Sequence, residues 1–138
     1  MKFLLDTDIC IYIIRKKNSL LLDRLAKCRV QDLAISSITL SELFDGVEKS
    51  QHRQQNMVAL IRFLSPLTVL AYDDLAAKSY GIIRAELERQ GNLIGGLDML
   101  IAAHACSQKL ILVTNNGREF KRVKSLTVEN WTAEKESI

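Results

Sequence analysis

Four short apolar runs alternate with segments of helical character, and this alternation restricts the fold more than any other feature of the chain. The runs are residues 2–5 (KFLL), Leu33–Ser36, Leu67–Leu70 and Leu110–Thr114. Each has the length of a strand and is apolar but for one residue, as expected where both faces of a sheet are covered. No two of them are joined by a two-residue Asn-Gly or Asp-Gly turn, so hairpins are not expected. Strand, helix, strand in repetition predicts βαβ units. The expected fold is α/β, a three-layer α/β/α sandwich with a central, mostly parallel sheet.

The helices are read from caps and spacing. Asp6-Thr7-Asp8 precedes a short buried helix over Ile9–Ile14, with Arg15, Lys16 and Lys17 suited to its C-terminus. Ser19 is expected to cap a helix carrying Leu20, Leu21, Leu22 and Leu25, and another helix is expected to start near Thr39. Met57, Val58, Leu60, Ile61 and Leu64 keep helical spacing until Pro66. A longer helix begins at Asp73 or Asp74, with Leu75, Ile82, Ile83 and Leu87 as one stripe and Gly91 at its end. Leu97–Cys106 is apolar nearly all round except for Asp98 and His104, which suits a helix buried on several sides.

Composition narrows the class. At 138 residues, 48% hydrophobic and 25% charged, with one proline, the chain suits one globular domain and not a disordered or low-complexity protein. That domain is expected to occupy residues 1–132, with 133–138 as a charged, frayed tail. A formal charge of +3 permits a polyanionic partner without requiring one. Cys10, Cys28 and Cys106 form an odd set with no CxxC pair, which reads as buried thiols in a reducing, cytoplasmic setting. No uninterrupted apolar run approaches the length of a membrane span, so no membrane association is expected.

Three acids stand where expected strands meet expected helices: Asp6, Glu42 and Asp98. Each has a plain explanation: Asp6 or Asp8 as a cap, Thr39 and Glu42 as a capping box, Asp98 as a cap after a glycine loop. Topology supplies another, because helix starts after parallel strands lie at the carboxyl edge of the sheet, where open α/β folds bind ligands. Two carboxylates about 5 Å apart repel by roughly 3 kcal/mol at an effective dielectric near 20. A divalent cation would offset that, and hard oxygen donors without a nearby histidine favour Mg²⁺, with Mn²⁺ as a substitute. Such an ion suits phosphodiester hydrolysis. Arg118, Lys121, Arg122 and Lys124 follow the last apolar run and are either a solvated face or a grip on an RNA backbone. Thr7 and Thr114, by their junction positions, are candidates to orient ligands or water.

The segments LLDTDI, ISSITLSEL, IGGLDMLIAAHA and LVTNNGREF, in this order and followed by VENW, resemble the PIN-domain ribonucleases, in particular the VapC toxins of bacterial toxin-antitoxin pairs. The resemblance implies a Mg²⁺-dependent endoribonuclease neutralised by a cognate VapB-like antitoxin. Its acids fall on Asp6, Glu42 and Asp98, with Asp6 and Asp98 the usual metal ligands. Where many PIN domains have a fourth aspartate this chain has Asn116, and Glu119 is the candidate substitute. The TNNxxEF pattern resembles toxins that cut initiator tRNA in its anticodon loop, so tRNA is the implied substrate. The family also implies a homodimer, and contact with operator DNA only through the antitoxin.

Two other classes fit parts of the sequence. A haloacid-dehalogenase-type phosphotransferase would use Asp6 and Asp8 as a D-x-D pair, with Asp73 and Asp74 as later acids, but would leave Glu42 without a role. A non-catalytic module binding RNA or protein would use the acids as caps and the basic run as a dock.

Overall fold

The computed structural model describes residues 1–133; the expected tail, apart from its first residue, lies outside them. Five strands form a single all-parallel sheet. They are β1 (Phe3–Leu5), β2 (Leu33–Ser36), β3 (Thr68–Leu70), β4 (Ile111–Val113) and β5 (Val128–Glu129), arranged in the order β3-β2-β1-β4-β5. Seven helices connect them: α1 (Thr7–Arg15), α2 (Ser19–Ala26), α3 (Ser37–Glu48), α4 (Arg53–Leu64), α5 (Asp74–Arg89), α6 (Gly96–Gln108) and α7 (Gly117–Phe120).

Alternation along the strands divides the core. Leu4, Ala34 and Leu112 face one side and pack with Ile83 and Leu87 of α5, Ile101 and Ala102 of α6 and Phe120 of α7. Phe3, Leu5, Leu33, Ile35 and Val113 face the other and pack with Ile9, Leu21, Leu43, Leu60 and Trp131. Every residue of β1 and β2, and all of β4 but Ile111, is therefore buried whichever way it points, which explains the apolar runs. The result is the expected three-layer sandwich.

The strand order places a reversal at β1. From β1 the chain steps outward to β2 and then β3, and after α5 and α6 it returns to add β4 on β1's other side. Adjacent parallel strands whose connections leave in opposite directions open a crevice at their carboxyl ends. Here that crevice lies between the end of β1, at Asp6, and the end of β4, at Thr114.

Several local expectations are corrected. Helix α3 begins at Ser37 and is capped by Ser36, whose Oγ accepts from Ile38 N–H at 3.0 Å. Thr39 and Glu42 thus sit inside the helix and do not form a capping box. Asn18, not Ser19, caps α2. Gly95 precedes α6, so Asp98 is the third helical residue and not the cap. The stripe on α5 divides: Ile83 and Leu87 are buried, whereas Leu75 and Ile82 stand in solvent. Strand β5 went unread because two residues carry no periodicity. Gly91, with φ of 62°, takes the left-handed conformation expected just after α5.

Among the described residues all three cysteines are free, with Cys10 buried and Cys28 and Cys106 only partly so. No described helix is long and apolar enough to cross a membrane.

Candidate active site

Asp6 stands at the reversal point of the sheet. Its N–H donates to Val113 O at 3.1 Å, continuing the ladder by one residue. Its carboxylate accepts from Ile9 N–H at 2.9 Å, capping α1, and from the Thr114 hydroxyl. The plain reading of Asp6 as a cap is therefore correct, yet incomplete. Only 5% of the residue is exposed, and that burial, reinforced by Asp8 and Asp98, pushes its carboxyl up to about 7 against the pull of its two hydrogen bonds. A carboxyl that only capped a helix at the surface would be held in its charged form.

Asp98 comes from the first turn of α6. Partial burial first, then Glu119, Glu42 and Asp8, push it up to about 6. It shares a hydrogen bond with Glu119. Glu119, in α7, accepts from Gly95 N–H at 2.8 Å and from the Asn116 side-chain amide at 2.6 Å. The Gly95 donor chiefly holds Glu119 below the usual carboxylate range. One member of the acid pair is thus favoured as the proton holder and the other as the anion.

Glu42 lies in the second turn of α3, where Thr7 Oγ1 donates to its Oε1 at 2.6 Å, and Thr7 Oγ1 is also 3.3 Å from Thr39 Oγ1. Thr114 is fully buried and accepts from Asn116 N–H at 2.9 Å while serving Asp6. Asn116 is not a fourth acid; its amide holds Glu119 in place. Arg118 is exposed beside them. Gly95 leaves room for the pair: a Cβ there would lie 3.4 Å from Asp98 Oδ2 and 3.7 Å from Glu119 Oε1.

The sequence reading passed over Asp8 as a site residue. Placed in the first turn of α1, it adds negative charge felt by both Asp6 and Asp98. The Asp-Thr-Asp spacing was the available signal, since it puts a second carboxylate only two residues beyond the cap, in the same first turn.

The cluster is open. Among the described residues no three His, Cys, Asp or Glu side chains are grouped closely enough to enclose a metal ion. All its donors are hard carboxylate oxygens, which excludes a zinc-type set.

A family profile for the PIN domain matches residues 3–126. Ribonuclease VapC2 from Haemophilus influenzae is 47% identical over 131 residues, spanning 95% of this chain and 98% of that protein. This chain is a PIN domain of the VapC type. The tRNA(fMet)-specific endonuclease VapC of Shigella flexneri is also 47% identical, over 96% of this chain and 99% of its own length. Two solved structures share the fold. VapBC from Salmonella typhimurium, bound to DNA, superposes with a TM-score of 0.90 at 44% identity, over 95% of this chain and 98% of that one. VapBC2 from Rickettsia felis, bound to a DNA fragment from its promoter, gives 0.86 at 44%, over 95% and 99%.

Membership of the PIN family displaces the phosphotransferase reading. The acids that reading needed are also accounted for: Asp73 accepts from Ala76 N–H at 3.0 Å as the cap of α5, with Asp74 in the first turn behind it. In this PIN domain four elements and one junction carry the acids: β1's end, α1, α3, α6 and α7.

Proposed function

We propose that the chain is a Mg²⁺-dependent endoribonuclease toxin that hydrolyses tRNA and is neutralised by a VapB-like antitoxin. The carrying observation is the convergence of Asp6, Asp8, Glu42, Asp98 and Glu119 at the sheet's reversal point, although they are as many as 113 positions apart in sequence. The names of the VapC relatives support a ribonuclease, and that of the Shigella flexneri protein supports tRNA(fMet) as the substrate; a cut in the anticodon loop is part of this proposal.

The residues fit a divalent ion of the hard type. Asp6 and Asp98 would hold Mg²⁺, or Mn²⁺ in its place, with Glu42 as a further ligand. An open cluster suits Mg²⁺, which is commonly held by one or two carboxylates together with water and substrate phosphate. When bound, the ion supplies charge compensation at the phosphate and a lowered pKa for water.

The chain's own groups do the remaining work. The Thr114 hydroxyl and Ile9 N–H fix Asp6, and Thr7 fixes Glu42. Glu119, anchored by Gly95 and Asn116, faces Asp98 and stands ready to take a proton from the attacking water. As water adds to phosphorus the P–O bond to the leaving oxygen breaks, and that oxygen takes up a proton. Arg118, with Lys121 and Lys124, is exposed next to α7 and can bind phosphates on either side of the cut. Arg122 differs from the other three, because its Nη1 donates to Leu93 O at 3.0 Å.

The VapBC structures, both of which hold DNA, support a VapB-like partner; a homodimeric toxin and operator contact through the antitoxin belong to this proposal. Free thiols suit the reducing, cytoplasmic setting that belongs to this proposal.

The test is to incubate purified protein with total cellular RNA, with Mg²⁺ or with a chelator, and to sequence the new 5′ ends. Mg²⁺-dependent ends clustered in a tRNA anticodon loop are expected. No Mg²⁺-dependent ends would overturn the nuclease reading, and ends confined to other RNAs would overturn the tRNA assignment.

A further inference from the structure

We infer that His104 is a positioning residue for the acid pocket, tying α6 to the start of α3 so that Asp98 and Glu42 face the same space. The inference rests on the nuclease reading above.

His104 is fully buried in α6, six residues after Asp98. Its Nδ1 lies 2.7 Å from Oγ of Ser36, which is equally buried and ends β2. Ser36 is also the cap of α3, and Glu42 comes six residues after it. Each acid is therefore about 9 Å along a helix from this one contact. Among the described residues, the His104–Ser36 bond is the one hydrogen bond between α6 and residues 36–48.

Apolar packing alone is permissive about small axial shifts and rotations, because neighbouring methyl groups interchange at little cost. A hydrogen bond is directional. One placed at this crossing fixes both the height and the rotation of α6 against α3, and so the spacing of the acids they carry. The turn after β3 closes over the same point: Tyr72 N–H donates to Ser37 Oγ at 3.0 Å, and the Tyr72 ring stands edge-on to the imidazole, with centroids 5.5 Å apart.

The chemistry of the residue argues against a filler. Among the described residues, His104 Nε2 is buried without a hydrogen-bond partner, a defect that a leucine of similar size would avoid. Burial also holds the imidazole below its usual pKa, so it serves as a neutral group, not as a charge. What the histidine adds over an apolar residue is Nδ1, and Nδ1 is the atom on Ser36.

The two ring nitrogens permit a discriminating set of variants. Asparagine puts a polar atom where Nδ1 lies, glutamine puts one where Nε2 lies, and leucine supplies only bulk. We expect H104N to recover Mg²⁺-dependent cleavage to within about threefold of wild type. H104Q and H104L, though folded, should need at least about tenfold more Mg²⁺ for half-maximal cleavage, the usual effect of losing a group that orients ligands. They should also show a smaller rise in melting temperature on adding Mn²⁺ without RNA. If H104L does not fold, S36A breaks the same contact from the other side and should shift the metal response in the same direction.

Wild-type metal response in H104Q and H104L would overturn the inference, as would loss of that response in a stable H104N. If wild type itself neither cleaves RNA nor responds to metal, the nuclease reading falls and this inference with it. If wild type cleaves and the variants match it, only the inference falls.

Discussion

Thr7 Oγ1 donates to Glu42 Oε1 across 2.6 Å, joining the first residue of α1 to the second turn of α3. Neither helix places Glu42 by itself, since a half-buried glutamate still has several rotamers open to it. The threonine selects one. Because Thr7 directly follows Asp6, the end of one strand fixes two acids at once.

Thr7→Val keeps the β-branched shape and removes the hydroxyl. Cleavage should fall by about 10- to 100-fold, while stability changes by about 1 kcal/mol, the net worth of one hydrogen bond. Single-turnover cleavage beside a thermal melt checks both numbers, and equal loss in the two would show that Thr7 serves the fold alone.

Asp98→Asn should abolish metal-dependent cleavage while keeping or raising the melting temperature. It removes a carboxylate that faces Glu119, Glu42 and Asp8, and like charges in one pocket oppose folding. Since Gly95 precedes the helix and Asp98 is not its cap, no capping bond is lost.

The pH dependence of the metal-free protein follows from the same crowding. Asp6 and Asp98 are pushed up to about 7 and about 6 in the fold, above the value near 4 of an unfolded aspartate. The folded state then holds protons that the unfolded state has lost, so this contribution is full below about pH 4 and disappears as pH rises through about 7. Thermal melts without divalent ions should show stability falling from pH 4.5 to pH 8, with Mn²⁺ restoring it at the upper end. A flat profile without metal would contradict the electrostatics derived for the pocket.

Gly95→Ala tests the room left for the acid pair. The backbone there, at φ −55° and ψ 148°, accepts alanine without strain. The added methyl would sit 3.4 Å from Asp98 Oδ2, so the carboxyl must yield by a few tenths of an ångström. Folding should be nearly unchanged, and the Mg²⁺ needed for half-maximal cleavage should rise severalfold.

Arg24→Ala is the matching control beside the edge strand β5. Arg24 pairs with Glu129 at 3.3 Å and lies over the Trp131 ring at 5.2 Å, fastening β5 and the residues beyond it. Its removal should cost about 1 kcal/mol and leave the cleavage rate per folded molecule intact.

Much of this was legible in the residues, for reasons that differ by element. Central strands announced themselves because both faces are covered, whereas Val128–Glu129 was invisible because two residues make no pattern. Cap positions slipped where two hydroxyls competed: Ser36 sits on the strand it ends, and nothing local favours it over Thr39. Asp6, Glu42 and Asp98 were found because each stands at a junction. Asp8 was not, because it reads as the redundant half of a cap. The role of Gly95 as an anchor of Glu119 arises from a contact spanning 24 residues, which no local window of sequence contains, whereas Asn116 anchors it from only three residues away.

The pairing of β1 with β4, Leu5 beside Val113, has a bearing on how such a chain is made. Asp6 leaves the ribosome 108 residues ahead of Thr114. Until the final strands emerge, the middle of the sheet lacks a neighbour and Asp6 lacks the hydroxyl that fixes it. A nascent copy that stops at α6 consequently has its acids but not the scaffold that sets Asp6 among them.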